Sequence, residues 1–327
     1  MGGKVKKIYL LLIVLLSFGI VSCGEKKSHE NLKDLTEYIN SLDSYELKAV
    51  LSVKRQDKEV NMDITVDYLS PSFYKVSFIN EGKDEQIVVK NSSGVYVLTP
   101  SLNKEFKFDS DWPLNSSHAY ILQTIVNDIS KDDMATFTIE NDIMQTTAKI
   151  SKLNSNVTHM KFYYDLVENK PMKTVFLNDN NEEKITVKFN EFIPNKQLKE
   201  DVFNNKLIME EKTSVEGEQS PQLPIFTLTV GYIIEGTTLS SQEVNEDVAV
   251  LCYSGDSNYT IVAQTAKTYY TSTSIEEYDD VEVMKYGVIL FNEHGARYYY
   301  NGLEVSIYSD VLTKVELINI AEELTFE

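Results

Sequence analysis

The chain has 327 residues, and its 31 Lys+Arg against 50 Asp+Glu give a formal charge of −19, so nucleic acid is excluded as an expected partner for want of a basic face. Hydrophobic residues at 42% and aromatics at 11% exclude a disordered chain and describe one able to bury a core. At roughly 100 to 200 residues per domain, the length fits one large or two ordinary domains. Lys4, Lys6 and Lys7 precede an uncharged apolar run over residues 8–21. That run is shorter than the roughly 20 residues that cross a bilayer permanently, so residues 1–22 read as an export signal.

The sequence Ile20-Val21-Ser22-Cys23 resembles the bacterial lipobox, in which a small residue precedes a cysteine that is diacylated and becomes the mature N-terminus. The resemblance implies a diacylglyceryl-cysteine at Cys23 and attachment to the extracytoplasmic face of the cell membrane. Losing residues 1–22 removes three lysines and no acid, which moves the charge from −19 to −22. The mature chain is then repelled by anionic lipid and held mainly by its acyl chains. Residues 23–30 are polar and aperiodic and read as a tether. Cys252, left without a cysteine partner, reads as a small buried hydrophobe beside Val250, Leu251 and Tyr253.

Residues 31–205 form the first expected domain. Leu32, Leu35, Ile39 and Leu42 recur at helical spacing after Asn31, a candidate N-cap. Tyr45, Leu47, Ala49, Leu51 and Val53 then alternate with polar residues, and the alternation resumes at Val60, Met62, Ile64, Val66 and Tyr68, which predicts two long antiparallel strands sharing one apolar face. Shorter strands are predicted at 74–78, 85–90 and 94–98. A second helix is predicted over 116–130, where Leu122, Ile125, Val126 and Ile129 share a face. Strands follow at 136–140, 146–152, 157–166, 174–177 and 184–192, the last two joined by the turn Asn178-Asp179-Asn180-Asn181. This order predicts a mainly β, α+β chain: a highly curved antiparallel sheet with helices against its concave side.

A charged, unpatterned stretch at 206–224, closed by Pro221 and Pro224, predicts a linker to a smaller strand-rich domain over 225–327. Its strands are predicted at 226–234, 248–253, 259–264, 287–292 and 297–300. Glu293-His294-Gly295 supplies the turn between the last two, and residues 316–322 form a terminal helix or extended edge.

Reaction chemistry is not legible in the sequence. His29, His118, His159 and His294 are scattered, no pair has zinc-ligand spacing, and Asp109 and Asp111 lack the further oxygens of a calcium loop. Ser116 and Ser117 beside His118 read as helix-start residues, since a nucleophile would still need an oriented base and an oxyanion site. No catalytic residue, metal or cofactor is therefore expected, and the chain is expected not to be an enzyme. The aromatic residues read chiefly as sheet core. A sharper reading is that an unclosed sheet encloses an apolar cavity fit for an acyl chain, lined by Leu51, Met62, Ile64, Val66, Tyr96, Phe106, Trp112 and Leu122.

The segment from Leu32 to Phe78 resembles the LolA/LolB-like lipoprotein-carrier superfamily: a helix ending in Ser41-Leu42-Asp43-Ser44-Tyr45, two long strands, then Ser70-Pro71 before Tyr74-Lys75-Val76-Ser77-Phe78. Asn91-Ser92-Ser93-Gly94-Val95-Tyr96-Val97-Leu98-Thr99-Pro100 resembles that family's strand, tight turn and strand ending in proline. The resemblance implies an unclosed antiparallel half-barrel with a helical lid around an apolar cavity. The lipobox makes the chain more similar to the lipid-anchored sporulation and germination lipoproteins of Gram-positive endospore formers than to the soluble carriers. Two functions are implied: binding of an acyl chain, lipoprotein or partner segment in the half-barrel, or, alternatively, adaptor support of a cell-wall amidase or other envelope protein. The C-terminal part, through Gly287-Val288-Ile289-Leu290-Phe291 and Tyr298-Tyr299-Tyr300, is similar to an uncharacterised domain appended to bacterial lipoproteins.

Overall fold

The computed structural model describes residues 26–55, 58–80, 84–108, 110–114, 118–151, 157–215, 228–245, 248–267, 276–284 and 286–326. The expected signal and Cys23 lie outside these residues. Helix α1, Lys26–Ser41, starts inside the segment expected to be a tether, so Asn31 lies within the helix and not at its cap. Leu35, Ile39 and Leu42 are buried as their spacing predicts.

Eleven antiparallel strands follow in a single sheet. They are β1 (Ser44–Arg55), β2 (Lys58–Leu69), β3 (Phe73–Asn80), β4 (Asp84–Asn91), β5 (Gly94–Thr99), β6 (Lys104–Phe108), β7 (Thr136–Glu140), β8 (Ile143–Lys149), β9 (His159–Asp165), β10 (Lys170–Leu177) and β11 (Glu183–Pro194). Pairing runs β6-β5-β4-β3-β2-β1-β11-β10-β9-β8-β7, so the sheet ends at β7 and never closes into a barrel. Period-two alternation decides which side chains face inward. Leu47, Ala49, Leu51 and Val53 of β1 lie opposite Val66, Ile64, Met62 and Val60 of β2. The turn between β10 and β11 uses the expected asparagines: Asn181 takes the left-handed conformation at φ 60°, and its N–H donates to the Asn178 carbonyl at 2.9 Å.

Helix α2, Leu122–Lys131, is shorter than the pattern suggested and lies on the concave side, where Leu122, Ile125, Val126 and Ile129 are buried. The predicted linker begins instead with helix α3, Asn205–Val215. Isoleucine 208 of α3, with Phe203 of the preceding 3-10 turn, covers the convex side of β4 and β5 over Ile87, Val89, Tyr96 and Leu98. Lys212 of α3 pairs with Glu85 at 2.7 Å. These apolar contacts explain why a charged, weakly periodic segment is ordered.

The remaining chain forms strands β12 (Leu228–Val230), β13 (Thr237–Val244), β14 (Val248–Gly255), β15 (Tyr259–Thr265), β16 (Glu276–Tyr278), β17 (Asp280–Met284), β18 (Gly287–Asn292), β19 (Gly295–Tyr300), β20 (Leu303–Tyr308) and β21 (Leu324–Phe326). Seven of them build the second sheet, ordered β13-β14-β15-β20-β19-β18-β17, while β12 pairs with β21. Helix α4, Lys314–Glu322, settles the ambiguous C-terminal pattern; Thr313 and Glu316 cap it reciprocally. Cys252 is only partly buried, because it sits on the face of β14 opposite the core residues Leu251 and Tyr253.

The boundary between the two domains in space differs from the one expected in sequence. Strand β16 leaves the second domain and pairs in parallel with β6, becoming the twelfth strand of the first sheet. At this junction Lys104 Nζ donates to Glu304 Oε2 at 2.7 Å and to the Tyr299 hydroxyl at 3.1 Å, and both ends of the pair are nearly buried. The Val288 N–H donates to Gln86 Oε1 at 2.7 Å. Next to it, Gly287 has φ 119°, a conformation that residues with a side chain rarely adopt, and a Cβ there would press on the Gln86 side chain, so glycine is favoured. Burial opposes ionisation of Glu304, but the Lys104 ammonium, Arg297 and the Tyr299 hydroxyl outweigh it and hold the carboxyl below its ordinary range.

Because that carboxyl is depressed in the folded state, its stabilisation is full at neutral pH and is lost as pH falls through the lowered value. Glu304→Gln is expected to flatten this acid limb in pH-dependent chemical denaturation. Glu304→Ala, which takes the carboxylate away from the nearly buried Lys104 ammonium, is expected to cost about 3 kcal/mol near pH 7.

Candidate functional site

The concave side of the first sheet is the site that the sequence singled out. Seven of the eight expected lining residues meet there in one buried cluster: Leu51, Met62, Ile64, Val66, Phe106, Trp112 and Leu122, each 2% exposed or less. Their placement follows from strand parity in β1, β2 and β6, from the loop before α2, and from the first turn of α2.

Tyr96 is the exception. It points to the convex side, in the cluster under Phe203 and Ile208, while its neighbours Val95 and Val97 face the concave cluster. The run Val95-Tyr96-Val97-Leu98 is apolar at every position because both sides of β5 are covered. Alternation therefore could not tell inside from outside at this strand.

The concave face holds more than the sequence pattern placed there. A file of rings crosses it, each within contact of the next: Phe192 to Tyr45 at 6.0 Å between ring centres, Tyr45 to Tyr68 at 5.2 Å, and Tyr68 to Tyr74 at 4.9 Å. It continues from Tyr74 to Trp112 at 6.1 Å, Trp112 to His118 at 5.8 Å, His118 to Tyr120 at 5.4 Å, and Tyr120 to Phe78 at 5.4 Å. Cross-strand register sets the first part of the file, since Tyr45 lies opposite Tyr68 and Tyr68 opposite Tyr74. The Tyr45 hydroxyl donates to Gln123 of α2 at 2.8 Å, tying the lid to the wall.

The second domain supplies the other wall. Ala266, Tyr278, Val281, Val288, Leu290 and Tyr299 join the same buried cluster. Tyr278 meets Phe106 edge-on at 5.5 Å, and Tyr299 stacks on Phe106 at 5.6 Å. Sequence reading missed these residues because the half-barrel and the C-terminal strands appear as separate domains along the chain. The remaining signal was the apolar character of residues 288–291 on both strand faces, which marks a strand covered on two sides.

Titratable chemistry is sparse in the interior. His118 is fully buried, shares a hydrogen bond with the Tyr120 hydroxyl at 3.2 Å, and has its pKa lowered to about 4 by burial, against the opposing charge of Asp280. Burial also pushes the hydroxyls of Tyr45 and Tyr74 upward. Among the described residues, no group of three or more His, Cys, Asp or Glu side chains is gathered as a metal site. Asp109, Ser116 and Ser117 lie outside the described residues. His118 is closed in by aromatic rings.

Fold and site together define a class: an unclosed antiparallel half-barrel with a helical lid, its apolar interior occupied by helices and by a second, appended sheet. Residues 5–203 match the family described as "Sporulation protein YdcC-like", and the chain belongs to that family. The sporulation protein YdcC of Bacillus subtilis (strain 168) is 26% identical over 332 residues, covering 98% of each chain. Among solved structures, a chain of the Pseudomonas aeruginosa MucA/MucB complex aligns over 90% of this chain and 97% of its own, at 14% identity and TM-score 0.35. The LolA superfamily protein NE2245 of Nitrosomonas europaea aligns over 55% of this chain and 98% of its own, at 9% identity and TM-score 0.32.

Removing the central ring of the file leaves a large void, so Trp112→Ala is expected to cost about 3–5 kcal/mol in urea denaturation. Leu122→Ala is expected to cost about 2–5 kcal/mol by the same argument. The lowered His118 pKa makes folding weaken as pH falls from the ordinary histidine range toward about 4, because only the unfolded chain takes up the proton there. His118→Gln is expected to remove that part of the slope.

Proposed function

We propose that the chain is a non-enzymatic, lipid-anchored protein on the extracytoplasmic face of the cell membrane, acting in sporulation as an adaptor for an envelope protein such as a cell-wall amidase. Diacylated Cys23 is the anchor, and the half-barrel is a rigid frame filled by its own side chains. The observation that carries this reading is the near-complete burial of Leu51, Met62, Ile64, Val66, Phe106, Trp112 and Leu122 in one cluster, with rings from both domains packed among them. Membership of a sporulation family supports the cellular setting.

Binding of an acyl chain in the same place would require α2 and Trp112 to move out. At roughly 1.5–3 kcal/mol for each large apolar side chain that is uncovered, several displaced residues would offset the gain from a bound chain. The surfaces left to act are therefore the outer ones.

Titration of the mature, unacylated protein with a fluorescent fatty acid is expected to show no saturable binding. Saturable binding that Trp112 variants alter would restore the cargo reading. Affinity capture from membranes is expected to retain one stoichiometric envelope protein. Cys23→Ala is expected to move the protein into the soluble fraction after a salt wash, and unchanged membrane retention would remove the anchor from this reading.

A further inference from the structure

The convex face of the first sheet carries a basic patch at odds with the charge of the whole chain. Lys173 of β10 lies directly opposite Lys188 of β11, and Tyr163 of β9 lies directly opposite Lys173. Lys161, two residues before Tyr163, shares that face, diagonal to Lys173, and Lys149 of β8 stands two positions beyond the partner of Lys161. The inward neighbours Met160, Phe162, Tyr164 and Thr174 are buried, which fixes the outward direction of Lys161, Tyr163 and Lys173. Lys173 Nζ sits 4.2 Å from the centre of the Tyr163 ring.

Directly opposed strand positions place Cβ atoms about 4.5–5.5 Å apart, and like charges there are destabilising. None of Lys161, Lys173 and Lys188 makes an ion pair with a described carboxylate. The acids bordering the patch are engaged elsewhere or lie at its rim: Glu191 pairs with Lys48 and Glu183 with Lys54, while Asp165 and Asp63 flank it. A chain with 50 acidic residues thus keeps three lysines together around a tyrosine, with acids only at the rim.

We propose that Lys161, Lys173 and Lys188, with Tyr163 among them, form a docking face for an anionic bilayer surface. Two observations favour lipid headgroups over an acidic polypeptide. First, α1 begins at Lys26, three residues after Cys23. At ~3.5 Å per residue, an anchor at Cys23 leaves the folded body within ~10 Å of the bilayer, about one Debye length in physiological salt. Second, a tyrosine ring framed by lysine stems suits the headgroup layer, where amphipathic side chains place an apolar body and a polar tip. Screening over that distance lets the patch act locally, although the chain as a whole is acidic. The bilayer's proximity rests on the anchor at Cys23; the patch itself does not.

The test uses the mature full chain carrying Cys23→Ala, and so no acyl group, in flotation with vesicles of equal parts phosphatidylglycerol and phosphatidylcholine, or of phosphatidylcholine alone. Binding is expected to the mixed vesicles only, to weaken as salt is raised, and to fall at least ~10-fold in the combined Lys161→Gln, Lys173→Gln, Lys188→Gln variant, given the worth of each lysine near an anionic surface. That variant is expected to unfold at the same temperature or higher, because a like-charge contact is relieved. Equal binding to both vesicle types, no binding to either, or undiminished binding by the variant overturns the proposal. Patch-dependent binding of polyglutamate without vesicle binding would also overturn it, and would assign the face to an acidic polypeptide. Loss of the Cys23 anchor in cells would leave the vesicle result unchanged, so the two readings fail separately.

Discussion

An unclosed sheet leaves an apolar wall that water must not reach, and this constraint organises the whole molecule. The eleven antiparallel strands of the first domain curve without joining β7 to β6. Their concave side carries Leu47, Leu51, Met62, Ile64, Val66, Val76 and Phe78, far more apolar surface than short loops could cover. Three covers meet over it: α1, α2 with the Trp112 loop, and the face of the second sheet that presents Val288, Leu290 and Tyr299. Burial is non-directional, so it explains why these elements converge; the register and the polar ties explain where each one stops.

Those ties are few and specific. Tyr45 holds α2 through Gln123, Lys212 holds α3 through Glu85, and the Lys104–Glu304–Tyr299 group holds the second sheet. Strand β16 adds backbone pairing at the edge beside β6, which would otherwise stand open. The second domain is therefore part of the half-barrel's closure. A lid built from a whole domain also bears on function: the interior lies beneath it, α1 and α2, whereas Lys161, Tyr163, Lys173 and Lys188 face outward.

The concave and convex faces divide the molecule's work. Inside, rings meet tilted or edge-on from Phe192 to Phe78, and His118 is held neutral by burial. Outside, the face over β9, β10 and β11 gathers like charges that packing does not explain. Local charge and net charge thus point in opposite directions, and a surface's affinity follows the local value within a screening length.

Much of this was written in the chain. Alternation in residues 45–53 and 60–68 set two strands and their inner face, helical spacing placed α1 and α2, and Asn181 and Gly295 marked turns by the positive φ they tolerate. Leu51, Met62, Ile64 and Val66 lay on the inner face that this parity marks, and Phe106, Trp112 and Leu122 joined them in one buried cluster. Tyr96 did not, because an apolar run covered on both sides carries no phase. Nor could α3 be seen at 205–215, where ordering comes from Phe203 and Ile208 meeting β4 and β5. Local periodicity records which side of an element is dry, since burial selects side chains one element at a time. Which distant element does the drying, here β16 and β19 against β6, is decided only when the chain closes on itself, because contacts between residues some two hundred positions apart leave no period in the sequence.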